Sequence, residues 1–106
     1  MEEWNGEELQ KRIDGGDRFC LYMYTPLCGT CQVASKMLLV IEELLPDAAI
    51  GKSNANYIEQ TALKYQVESV PCLLFFKHGE LTDKLYAFQS VPYLLERLKK
   101  HFAEEV

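Results

Sequence analysis

Proline and histidine are scarce in this chain, at four and two residues, and tryptophan occurs once. Basic side chains are outnumbered 16 to 11 by acidic ones, giving a formal net charge of −5. That sign opposes non-specific attraction to nucleic acid or anionic membrane, both of which select basic patches. Apolar runs such as residues 37–41 and 70–76 fall far below the span of a bilayer. Residues 1–8 hold no basic stretch, no apolar core and no small-residue cleavage site, so no secretory signal is expected and a cytoplasmic location is. No repeat or low-complexity segment is visible. With 48% hydrophobic and 25% charged residues the composition is that of an ordinary globular domain, which excludes disorder and coiled coil. At 106 residues a single domain over 1–106 is expected, with no room for a separate cofactor-binding domain.

The hydrophobic pattern gives an order of elements. Asn5 is placed to cap a first helix, with Glu8 three residues on and Trp4 and Leu9 in the staple positions. Leu9 and Ile13 share one face of that helix, and Asp14-Gly15-Gly16-Asp17 ends it. Residues 19–24 form an apolar and aromatic run suited to a strand buried on both faces. Thr25-Pro26 breaks the run, and over 29–45 the residues Val33, Met37, Leu38, Ile41, Leu44 and Leu45 recur at helical spacing. A short strand is predicted over 48–52 and a helix over 57–65, with Ile58 and Ala62 inward. A strand over 72–77, a turn at His78-Gly79 and a strand over 81–88 make a hairpin. Ser90 caps a last helix that turns Val91, Leu94, Leu95, Leu98 and Phe102 inward. Alternating strands and helices followed by an antiparallel pair predict a three-layer α/β/α domain with a mixed central sheet of about four strands. The acidic pairs Glu2-Glu3, Glu7-Glu8 and Glu104-Glu105 read as solvated helix surface.

Four cysteines are an even number, so a disulfide scaffold has to be weighed first. Two of them, in Cys28-Gly29-Thr30-Cys31, fall where the buried strand hands over to the long helix. The amides and dipole of a helix start favour negative charge, so a thiolate there is stabilised and its thiol acidified. Spacing of three puts both sulfurs on one side of the first turn, within disulfide reach. Cys28, nearer the loop, is then the exposed attacker and Cys31 the shielded resolver. A zinc half-site and a pair of inert core thiols remain alternatives. Zinc wants a second ligand pair, whereas Cys20 and Cys72 stand alone and His78 and His101 are not spaced as one.

Three blocks in order carry a family resemblance: Tyr24-Thr25-Pro26-Leu27-Cys28-Gly29-Thr30-Cys31, Tyr65-Gln66-Val67-Glu68-Ser69-Val70-Pro71-Cys72 and Phe75-Phe76-Lys77-His78-Gly79-Glu80. With them the sequence resembles the thioredoxin family, in its small bacterial type, over nearly its whole length. The resemblance implies a thioredoxin-like fold, here without the family's usual N-terminal strand. It implies a cis Pro71 packed beside the cysteine pair, with the Val70 backbone free to pair with an extended substrate. Leu27, Gly29, Thr30, Val70 and Pro71 are thus the expected substrate contacts. Tyr24, Pro26 and Ala87 would join Leu27, Val70 and Pro71 in a modest apolar patch.

The chain also departs from the family pattern. A buried Asp usually stands six residues before the first cysteine; here Tyr22 does, and a phenol is a poor base near neutral pH. Core filling is the simplest role for Tyr22. Lys52 matches the family's lysine on the next strand but has lost that acid partner. Leu27 replaces a usual Trp, Thr30 a usual Pro, and Lys36 the proline that kinks the long helix. Cys72 replaces a common Thr. It is a candidate auxiliary, like Tyr24 and Lys52, although burial is its simplest role, as it is for Cys20.

The expected activity is reduction of protein disulfides by Cys28 and Cys31. Its partners would be disulfide-containing proteins and an external reductase such as thioredoxin reductase. No bound cofactor, metal, nucleic acid or membrane is expected, and the chain is expected to be a monomer. Two other readings stand beside it: a redox-sensing or adaptor module with weak activity, and a metal or iron–sulfur site built from Cys28, Cys31 and Cys72.

Overall fold

The computed structural model describes residues 1–103, so Glu104 and Glu105, read above as helix surface, lie outside the described residues. A first helix, α1 (Gly6–Asp14), starts where its cap residue dictates: the Asn5 side chain accepts the Glu8 amide at 2.8 Å. Trp4 and Leu9 are both buried and pin the chain entry, and Ile13 continues the apolar face. Gly16 takes φ +72° to turn the chain out of the helix, a conformation that costs glycine little.

Strand β2 (Phe19–Tyr24) follows, and residues 19–23 are fully buried. Burial on both faces follows from its central place. It pairs parallel with β3 (Ile50–Asn54) on one side and antiparallel with β4 (Cys72–Lys77) on the other. Strand β5 (Glu80–Leu85) completes the hairpin through His78-Gly79, where both residues have positive φ, as a two-residue turn between twisted strands requires.

Side chains alternate across this sheet and build two cores. On one face lie Leu9 and Ile13 of α1, Ile58, and the strand residues Phe19, Leu21, Met23, Cys72, Leu74 and Phe76. The short helix α3 (Glu59–Lys64), preceded by a 3-10 turn at Ala55–Tyr57, packs its Ala62 here. On the other face lie Cys20, Tyr22, Leu73 and Phe75, covered by Ala34, Leu38 and Ile41 of α2 (Gly29–Leu44) and Leu94 and Leu98 of α4 (Val91–Phe102). The Ser90 hydroxyl accepts the Tyr93 amide at 3.2 Å and caps α4. Helix α2 passes Lys36 without a break.

The three layers and the mixed sheet agree with the sequence, but the sheet has five strands: with an edge strand β1 (Glu2–Glu3) the order is β1-β3-β2-β4-β5. The expectation that no N-terminal strand is present is therefore corrected. Strand β1 (Glu2–Glu3) pairs parallel with Gly51 and Lys52 of β3. Two exposed glutamates carry no apolar alternation, so backbone pairing alone forms this edge, and the pair is strand rather than helix surface. Strand β3 begins two residues later than expected because Ala48 and Ala49 belong to the loop. The hairpin strand ends at Leu85, and residues 86–88 leave the sheet.

Candidate active site

Strand β2 ends at Tyr24 and the chain turns through Thr25-Pro26-Leu27, with the Cys28 amide donating to the Thr25 carbonyl at 3.3 Å. Cys28 is the N-cap of α2: its backbone is extended, and its sulfur accepts the Cys31 amide at 3.1 Å. A cap position is usually filled by a side-chain oxygen. A sulfur there occupies the spot at which α2 presents free N–H groups to negative charge. Cys28 and Cys31 are joined by a disulfide, with a Cα–Cα distance of 5.1 Å. Cys31 is 2% exposed and Cys28 half-buried. One sulfur faces arriving reagents and the other lies under the helix.

Around Cys28 the structure gathers several expected residues. The Thr30 hydroxyl lies 3.4 Å from its sulfur, and the Val70 carbonyl lies 3.9 Å away. The Val70–Pro71 peptide bond is cis. Leu27 is 100% exposed at the rim, and a side chain built at Gly29 would meet nothing within 4 Å, so the approach to Cys28 is open. Beside Thr30 and Pro71 runs an apolar groove of about 400 Å³, lined also by Val33, Met37, Ala87 and Phe88. Pro71 and Ala87 belong to the expected patch. Val33 and Met37 belong to the apolar helical spacing that marks α2, and a groove that depends on residues 86–88 leaving the sheet has no signal in the sequence.

Other expected residues are placed elsewhere. Tyr24 donates its hydroxyl to the Glu3 carboxylate at 2.6 and 3.0 Å, and the Lys52 ammonium lies 5.5 Å from its ring. Burial, then the Glu3 carboxylate, push the Tyr24 phenol up to about 12. These three form a cluster of their own on the β1 side of the sheet. Cys72 is fully buried in the core on the sheet face away from α2, so the sheet stands between it and that helix. Cys20 is equally buried, in the other core. Among the described residues no group of three or more histidine, cysteine or acidic side chains is disposed to hold a metal ion, and no helix is long and apolar enough to cross a membrane.

Burial pushes the Cys72 thiol from its ordinary 9.0 up to about 11. The folded chain therefore keeps a proton that the unfolded chain releases near pH 9, and stability from this thiol is lost as pH rises from there to about 11. Urea midpoints measured at pH values near 8 and near 10.5 should show a smaller alkaline loss in Cys72→Ala than in the native chain. Equal losses would mean that Cys72 ionises as easily folded as unfolded.

Tyr22 does more than fill volume. Its hydroxyl donates to the Cys31 carbonyl at 2.7 Å and accepts from the Ser35 hydroxyl at 3.0 Å. Ser35 belongs to no motif, and its signal in the sequence is its spacing alone, one helical turn beyond Cys31 on the same face.

The Cys28–Cys31 bond stores two electrons' worth of oxidation beside an open approach, which is what thiol–disulfide oxidoreductases require. The chain belongs to the thioredoxin family, whose model, described as Thioredoxin, matches residues 1–100. It is 51% identical over 100 residues to the thioredoxin-like protein YusE of Bacillus subtilis, covering 94% of this chain and 92% of that one. It is 40% identical over 98 residues to a thioredoxin of Staphylococcus aureus, covering 89% and 90%. In fold it resembles a mutant thioredoxin from Halobacterium salinarum, with a TM-score of 0.83 at 23% identity over 100% of this chain and 93% of the other.

Proposed function

We propose that this protein reduces disulfides of other proteins through Cys28 and Cys31. The observation that carries the proposal is the Cys28 sulfur at the start of α2, accepting the Cys31 amide at 3.1 Å. In the reduced protein the same amide favours a Cys28 thiolate. That thiolate attacks one sulfur of a substrate disulfide: a Cys28–substrate S–S bond forms, the substrate bond breaks, and the departing sulfur takes up a proton. The Cys31 sulfur, having given up its proton, then attacks Cys28. The Cys28–Cys31 bond re-forms and the second substrate thiolate leaves and is protonated. The substrate gains two electrons and the protein is left oxidised, so an external reductase of the thioredoxin reductase class must restore it. Val70 and Pro71 supply a backbone edge for the substrate strand, and Leu27, Gly29 and Thr30 form the rim it crosses. The protein acts as a monomer of one domain, residues 1–106, in a reducing cytoplasm.

Reduction of insulin driven by dithiothreitol tests this. The native chain should accelerate precipitation of the insulin B chain, and Cys28→Ser should not exceed the uncatalysed rate. A native chain without activity would assign the fold to a redox-sensing or adaptor role instead.

A further inference from the structure

Tyr22 occupies the strand position opposite the first turn of α2, and its ring is fully buried. A buried phenol needs a partner for its hydroxyl. Many carbonyls could serve, but this one is the carbonyl of Cys31, at 2.7 Å. A helical carbonyl keeps a second lone pair beside its ladder bond, so the contact adds to the helix and does not compete with it. The Ser35 hydroxyl donates to the Tyr22 oxygen at 3.0 Å, and a donor that is itself accepting is polarised into a stronger one. Burial raises the Tyr22 phenol above its ordinary value, with the Ser35 hydrogen bond acting the other way, so the group stays a neutral donor at physiological pH.

The two ends of this contact are nine residues apart in sequence, and between them runs the loop that presents Cys28. The hydrogen bond therefore closes that loop. It fixes the first turn of α2 to β2 at the residue whose own amide reaches the Cys28 sulfur at 3.1 Å. We propose that Tyr22, backed by Ser35, is a positioning residue for the dithiol: by bonding the Cys31 carbonyl its hydroxyl fixes the turn from which the Cys31 amide reaches the Cys28 sulfur. The proposal rests on the reading of Cys28 as the attacking thiol, and it makes the attacking end of the pair depend on a neutral group nine residues upstream of Cys31.

The test is the rate at which iodoacetamide alkylates Cys28 in the reduced protein, read by mass spectrometry from pH about 5 to about 9. Tyr22→Phe keeps the ring and removes the hydroxyl. Its alkylation near pH 6.5 should slow by about threefold, with the profile displaced to higher pH by about half a unit, the scale of part of one hydrogen bond. Ser35→Ala should shift the profile the same way by less, and Ser35→Thr, which keeps a hydroxyl, should restore it. A folded Tyr22→Phe protein that melts earlier but alkylates with the native profile overturns the proposal. Should Tyr22→Phe fail to fold, the half-exposed Ser35 carries the test, and a native profile in Ser35→Ala overturns it equally. Thiol acidity is read without any protein substrate, so this outcome is separate from that of insulin reduction.

Discussion

A Cys31→Ser variant is expected to hold its substrate proteins as mixed disulfides on Cys28 roughly a thousandfold longer than the native chain does. In the native chain the second thiol is already in place, three residues on along the first turn of α2 with the two Cα atoms 5.1 Å apart. Intramolecular attack from so near has an effective concentration far above that of any cellular thiol. Serine is close in size and keeps the buried site filled, but its hydroxyl does not displace a sulfur at neutral pH. The intermediate must then wait for an outside thiol to reach Cys28. Non-reducing gels of proteins captured on Cys31→Ser, with Cys28→Ser as the blank, measure this directly. Equal capture by the two variants would place the attacking sulfur elsewhere.

The second large effect concerns stability. Gly51→Ala is expected to cost about 3 kcal/mol, a fall of roughly 15 °C in the melting temperature. A Cβ built at Gly51 would lie 2.1 Å from the Trp4 ring, with two further ring atoms at 2.3 Å. The indole has nowhere to go. Its backbone amide donates to the Lys52 carbonyl at 2.8 Å, its ring nitrogen donates to Glu2 at 2.9 Å, the Arg12 guanidinium covers it at 4.0 Å, and it packs edge-on against Phe19 at 5.6 Å. Displacing it unpacks one core and loosens β1 at once. Thermal unfolding of Gly51→Ala checks the claim, and a melting temperature within a degree or two of native would show that the ring can slide aside.

Trp4 and Gly51 also show what the sequence could and could not display. The staple of Trp4 on Leu9 was readable because cap, spacing and apolarity all agree locally. That the same ring lies flat on Gly51 is a contact between residues 47 positions apart, and a glycine in a strand says only that something comes close. The elements on either side of the dithiol were legible for the same local reasons: a wholly apolar β2, a breaking Thr25-Pro26 and a periodic α2. The cysteine pair was legible from where it fell between them. Strand β1 was not, since its two glutamates are held by backbone pairing to β3 and nothing in their side chains records it. Tyr22 stands out in the sequence as a departure from the family pattern, but the reach of its hydroxyl across a loop to Cys31 is not encoded in a residue type alone.

Cys20 and Cys72 lie in separate cores with the sheet between them. A thioredoxin-family chain with an exchangeable disulfide carries a hazard in its own spare thiols, because any that reached the open sulfur could capture it in a dead-end bond. Here neither thiol can meet the other, or an incoming disulfide, without the cores opening. Chemical fidelity is thereby made a property of folding: each kilocalorie of stability also lengthens the time before the chain crosslinks itself, and a packing change as remote as Gly51→Ala would shorten it.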